Sequence, residues 1–181
     1  MLKQIFFILA LLAGAGGVLG QGYILIPMDE GQTNHMKAYG ITYQVLSAKQ
    51  EAYWLLNYQG GSFAFQYNDV FKKECMRRGV SFKVIPTASF NSILNEINDP
   101  QVNMEAMKLE VAPKVAVYSP TVNVRGQEVQ PWDDAVTLVL TYAEIPYDLV
   151  YDDEVLEGKL NEYDWLHLHH EDFTGQFGKF Y

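Results

Sequence analysis

The chain has 181 residues, 49% of them hydrophobic and 14% aromatic, a globular composition that excludes disorder and leaves room for one large domain or two small ones. Lys and Arg number 13 against 22 Asp and Glu, for a formal charge of -9. That charge argues against nucleic acid as a partner, because phosphate contacts need a basic face. The single cysteine, Cys75, excludes an internal disulfide framework and a cysteine-rich zinc site.

Residues 1–20 read as a secretory signal peptide. Lys3 supplies a positive start, Ile5 to Leu12 are all apolar, and Val18-Leu19-Gly20 before Gln21 is an acceptable cleavage site. The apolar run is short for a membrane anchor of about 20 residues. The chain is therefore expected to be exported, to a periplasmic or extracellular space, with no stable membrane span once the signal is removed. Beyond it, residues 21–112 carry 8 basic and 9 acidic groups, whereas residues 113–181 carry 4 and 13. That asymmetry predicts two units, joined near Glu110-Val111-Ala112-Pro113.

In the first unit, Tyr23 to Ile26 is a short strand closed by Pro27. Asp29 to Thr33 opens a helix running to about Leu46, with Met36, Tyr39, Tyr43 and Leu46 at helical spacing and Gly40 as a potential break. Ala52 to Tyr58 is β-rich and Gly60-Gly61 turns the chain. Asn68 or Asp69 caps a helix bearing Val70, Phe71, Cys75 and Met76, ended by Gly79. Val80 to Ile85 is a strand, and Thr87 or Ser89 caps a helix from Phe90 to Ile97. This alternation predicts a mostly parallel sheet with both faces covered.

The second unit repeats the pattern. Lys114 to Tyr118 is a strand, Ala135 to Ala143 a nearly all-apolar helix buried on the sheet, and Leu149 to Tyr151 a strand. Asp152 to Leu160 is an acidic turn or short helix, and Tyr163 to His169 the next strand. The predicted fold class is α/β with mostly parallel sheets, flavodoxin-like or class I glutamine amidotransferase-like. Three strands and one long helix are an unfinished sheet, so the unit is expected to be incomplete at its carboxyl end.

The foremost candidate site is the end of the last strand, His167-Leu168-His169-His170-Glu171-Asp172. Strand alternation gives His167 and His169 one face, shared with Trp165. Ligands of open α/β sheets bind beyond the carboxyl ends of strands, where His169, His170, Glu171 and Asp172 would sit, with Asp152 and Asp153 near them. His167 and His169 have the spacing to share a metal ion, with carboxylates completing the shell. The run departs from H-x-H-x-D-H, because Glu171 stands for Asp and Asp172 for the last His. The competing reading is a packed, hydrogen-bonded cluster. No cofactor is implied beyond that transition metal.

Gly60 and Gly61 form a second candidate, since paired glycines let N–H groups converge on an anion. The stretch matches no nucleotide-binding fingerprint, and a plain turn competes. Asp29, Glu30, His35 and Lys37 are a third group, suited to acid–base work, with a helix cap at Asp29 or Thr33 as the simpler account. Cys75 reads as a core thiol, and Trp54, Trp132 and Trp165 as core or pocket aromatics.

Several of these stretches together resemble one family: Ile26-Pro27-Met28-Asp29, Asn34-His35, Lys37-Ala38-Tyr39-Gly40, Trp54 to Tyr58, Gly60 to Phe63, Pro131 to Ala135 and His167 to Gln176. The chain looks like exported bacterial proteins labelled asparagine synthetase B, whose members are longer. The second unit is similar to the start of a class I glutamine amidotransferase-like domain. The synthetase chemistry does not carry over. Leu2 stands where such a synthetase has its nucleophilic Cys, and no S-G-G-x-D-S loop for ATP occurs. Cys75 lies upstream of the position expected for an amidotransferase nucleophile.

Three functions follow as expectations. One is a ligand-binding or envelope-associated module holding a small molecule or cell-envelope glycan. Another is an amidotransferase-like or metal-assisted hydrolase, in amide nitrogen metabolism, with catalytic groups beyond residue 181. The third is a structural envelope component.

Overall fold

The computed structural model describes residues 22–122, 125–131 and 134–168. The signal segment and the run from His169 to Tyr181 lie outside them. Among the described residues no helix is long and apolar enough to cross a membrane.

The first sheet is built from β1 (Tyr23–Ile26), β2 (Ala52–Leu56), β3 (Ser62–Gln66), β4 (Lys83–Ile85) and β5 (Glu105–Leu109), in the order β4-β1-β3-β2-β5. Every neighbouring pair is antiparallel, which corrects the expectation of mostly parallel sheets. The reason is local. Gly60-Gly61 closes a β2–β3 hairpin, which a two-strand reversal makes antiparallel by necessity. The crossover from β1 to β2 still joins strands that point the same way, but β3 is inserted between them. Helix α1 is His35–Ser47 and α2 is Asp69–Arg77. The resulting β1-α1-β2-β3-α2-β4 unit, ordered 4-1-3-2, is the ferredoxin-like split βαβ arrangement, extended by α3 (Thr87–Ile97) and β5.

Both faces of this sheet are covered. Ile24, Ile26, Phe63 and Phe65 pack against Ala38, Ile41 and Val45 of α1 and Phe71 and Cys75 of α2. Leu25, Leu55 and Ala64 pack against Phe90 and Ile97 of α3. Complete burial of a side chain such as Ile41 contributes roughly 1.5–3 kcal/mol. The stripe expected on α1 is wrong in detail: Met36 and Tyr39 are about half exposed, and the Ala38–Ile41–Val45 stripe faces the sheet.

Gly40 does not break α1. It is the contact point for α4 (Ala135–Ala143), whose terminal backbone approaches where a side chain would obstruct it.

The second sheet comprises β6 (Val115–Tyr118), β7 (Asp148–Val150) and β8 (Trp165–Leu168), ordered β7-β6-β8 and parallel throughout. Val115, Val117 and Leu140 form its core with α4. Contrary to expectation α4 is not wholly buried. It lies on the sheet by one side only, and Leu138, Val139 and Tyr142 remain exposed. Helix α5 (Asp152–Leu156) and a 3-10 turn (Lys159–Glu162) connect β7 to β8.

A charged cluster ties the α1, α2 and α4 ends together. Glu144, in the left-handed conformation that ends α4, lies 2.6 Å from Arg78 and 2.8 Å from Lys37. The Arg78 side chain is only 2% exposed and also meets Glu74 at 3.0 Å, so the buried guanidinium has two carboxylates as partners.

Candidate functional site

The parallel sheet places its first strand, β6, in the middle. The chain leaves β6 toward β7 on one side and returns as β8 on the other. This is a topological switch point, and ligands of open α/β sheets seat at the carboxyl edge there. The three carboxyl ends are in register, with Tyr118 opposite both Val150 and Leu168.

Three described side chains converge on that edge. The Tyr118 hydroxyl donates to Asp152 Oδ1. The Tyr118 and Tyr151 rings lie 5.1 Å apart at 36°. Beside them the Ser119 N–H donates to Val150 O at 3.0 Å, which turns the chain over the strand ends.

Asp152 opens α5 together with Asp153 and Glu154, where carboxylates meet the positive end of the helix. Glu154 Oε2 accepts from the Tyr151 N–H at 2.9 Å. That backbone bond holds its carboxyl below the usual range. The edge thus offers a phenol–carboxylate pair, a second phenol and a serine hydroxyl. It can donate and accept hydrogen bonds, and its local acidity disfavours anions.

Asp152 was expected near His169 to Asp172, which lie outside the described residues; its described partner is Tyr118, on the central strand β6. Tyr118 and Tyr151 carried no motif, and their meeting depends on a register that the sequence does not display.

His167 pairs with Val117 in register and so lies on the α4 side of the sheet. Its ring stands edge-on to Trp165 at 6.4 Å and 86°. It is half-buried within the strand rather than at its carboxyl rim. His169, His170, Glu171 and Asp172 lie outside the described residues, as does Trp132. Among the described residues no three His, Cys, Asp or Glu side chains are grouped to hold a metal ion.

Gly60 and Gly61 belong to the other sheet, in the β2–β3 hairpin, with φ of 79° and 92°. The Gly61 N–H donates to Tyr58 O at 3.0 Å, within the turn. A β-carbon at Gly60 would overlap the Met28 backbone, and the Met28 N–H donates to Gln59 O at 2.9 Å. The two glycines thus permit a tight turn and a close backbone approach; the plain-turn reading describes them.

The group after β1 also has structural employment. Asp29 Oδ1 accepts from the Gly31 N–H at 3.0 Å. His35 Nε2 lies 3.1 Å from the carbonyl oxygens of Met28 and Asp29, and since carbonyls only accept, Nε2 carries a proton. Lys37 pairs with Glu144. The cap of α1 is Asn34, not Asp29 or Thr33; its Oδ1 accepts from the Lys37 N–H at 3.1 Å.

Cys75 is fully buried, and that burial pushes its thiol up to about 12. Trp54 is half-buried, its indole N–H donating to Gly61 O at 3.2 Å, while Trp165 is 47% exposed.

No protein-family model, curated protein or solved structure matches this chain.

Proposed function

We propose that the chain is an exported ligand-binding module whose ligand, a small polar molecule or a cell-envelope glycan, seats at the carboxyl edge of the β7-β6-β8 sheet. The observation that carries this reading is the switch point at Tyr118, where three parallel strands end in register. The Tyr118–Asp152 pair and the Tyr151 ring supply the polar and aromatic groups such a ligand uses. Leu168 is followed in the sequence by His169-His170-Glu171-Asp172, which lie outside the described residues. Export rests on the sequence of residues 1–20.

Cys75, being buried and protonated, supports no thiol chemistry in the first unit.

Calorimetric titration of the full-length protein with L-glutamine and with the N-acetylglucosamine disaccharide tests the reading. Binding of either probe, weakened about tenfold or more by Tyr118→Phe or Asp152→Asn, is the expected result; a tenfold loss corresponds to about 1.4 kcal/mol. Binding that both variants leave unchanged, or no binding of either probe, contradicts it.

A further inference from the structure

A second cleft lies at the far end of the antiparallel sheet, within the first unit. It has a volume of about 400 Å3 and is lined by Tyr23, Lys49, Gln50, Glu51, Tyr53 and Gln66. That volume falls in the roughly 300–1,000 Å3 range of small-molecule sites. The sequence brings these residues together through topology. Tyr23 begins β1, Tyr53 lies near the start of β2, and Gln66 ends β3 directly opposite Tyr23. Alternation then fixes the face: Tyr23, Tyr53 and Gln66 share the α3 side with Leu25 and Ala64. Lys49, in a left-handed conformation, turns the chain from α1 into β2 and brings Gln50 and Glu51 to the rim.

The cleft has a rigid floor. The Tyr23 ring stacks on Phe90 at 3.9 Å, and Tyr53 meets the same ring edge-on at 5.2 Å. Phe90 is 1% exposed. The two phenols are therefore fixed by packing rather than left to rotate in solvent, and Gln66 stands opposite Tyr23 in the β1–β3 register. Burial, with Tyr53 beside it, raises the Tyr23 hydroxyl above its ordinary value of 10.0, so it keeps its proton at neutral pH and can donate.

The lining also selects a ligand class. It holds one ammonium and one carboxylate, and the carboxylate is neutralised from outside by Lys108 at 2.6 Å. No cationic cluster is present for a phosphate, and the Glu51 charge is already engaged. What remains are the single Lys49 ammonium, two phenols and two carboxamides, a set of donors and acceptors on an aromatic floor. Vicinal hydroxyls on an uncharged ring satisfy that set.

We infer that the Tyr23–Tyr53–Gln66 cleft is a binding site for a neutral saccharide unit, separate from the carboxyl edge of the parallel sheet. The two sites lie on different sheets, so the inference stands whether or not the edge binds a ligand.

Amide and side-chain NMR spectra of the full-length protein, titrated with maltose and with the N-acetylglucosamine disaccharide, test it. The titration runs to about 10 mM, tenfold above a roughly millimolar Kd. The expected result is that at least one saccharide perturbs Tyr23, Tyr53 and Gln66, and that Tyr53→Phe and Gln66→Ala each weaken it at least about fivefold. Gln66 is exposed, so Gln66→Ala should fold, and an unchanged thermal midpoint checks this. No perturbation by either saccharide, perturbation confined to other residues, or equal affinity in both cleft variants would overturn the assignment. So would binding of a charged probe, inorganic phosphate, in place of the saccharides.

Discussion

A β-carbon on Gly40 would overlap the carbonyl oxygen of Ala143. The middle of α1 therefore touches the last turn of α4 backbone to backbone, and only glycine permits it. Gly40→Ala is predicted to destabilise the protein by about 1–3 kcal/mol, since the obstacle is backbone that must move rather than a side chain that can rotate. Urea unfolding should show a lower midpoint for Gly40→Ala. An equal or higher midpoint would mean that the two helices are not in this contact.

Glu144 makes the same junction sensitive to acid. Its carboxyl is held below the ordinary value of 4.5, first by the Lys37 hydrogen bond and then by the neighbouring Arg78 charge. Glu74 is lowered likewise, first by Arg77. Carboxyls depressed by folding bind protons more readily when unfolded. The stability they contribute is fully present above the unfolded value of about 4.5 and is lost as pH falls through the lowered folded values. Glu144→Gln should cost about 1–2 kcal/mol at neutral pH. This is less than the roughly 3–5 kcal/mol of a fully buried pair, because Glu144 is 40% exposed and Glu74 still faces Arg78. Urea midpoints measured between pH 7 and about 3.5 should fall less steeply in Glu144→Gln than in the parent. Parallel pH profiles would remove Glu144 from this role.

Much of the second unit was legible in the sequence, and the first was legible in its helices but not in its sheet. Helix α4 is bounded by Asp134, whose carboxylate accepts from the Val136 and Thr137 N–H groups, and by the end of its apolar run, so its limits were plain. Strand β3 was missed because Ser62 to Phe65 are buried on both faces and show no alternation. Strand β5, Glu105–Leu109, was missed because it is an edge strand with a mixed polar pattern. Those two strands decide the direction of the sheet, and without them strand–helix alternation reads as parallel. The candidate edge was half legible. The rule that ligands seat beyond strand ends pointed to it, whereas the meeting of Tyr118 with Asp152 spans 34 residues and depends on β6 lying between its neighbours.

The cap of α1 separates the two accounts of the Asp29–Lys37 stretch. Asn34 accepts from the Lys37 N–H at 3.1 Å and donates to the Tyr142 hydroxyl at 2.7 Å. Asn34→Ala should cost about 1–2 kcal/mol. Asp29→Ala, which loses one exposed turn bond to Gly31, should cost less than about 0.5 kcal/mol. Chemical denaturation of both variants checks the order, and a larger loss at Asp29 would reverse the assignment.

Cys75 should be inert in the folded protein. Its thiol is pushed up to about 12 by burial, and the thiolate is the reacting species. A disulfide reagent at about pH 8 should modify it slowly in buffer and rapidly in denaturing urea. Fast reaction in buffer would mean that α2 is not packed over the sheet as described.

The most direct test of the ligand edge is a residue-resolved NMR titration of the full-length protein with L-glutamine and with the N-acetylglucosamine disaccharide. At least one of them is predicted to perturb Tyr118, Ser119, Tyr151 and Asp152 together, with the perturbation reduced in Tyr118→Phe. Spectra in which these four residues stay fixed at saturating probe would contradict the assignment of a ligand to the carboxyl edge of the parallel sheet.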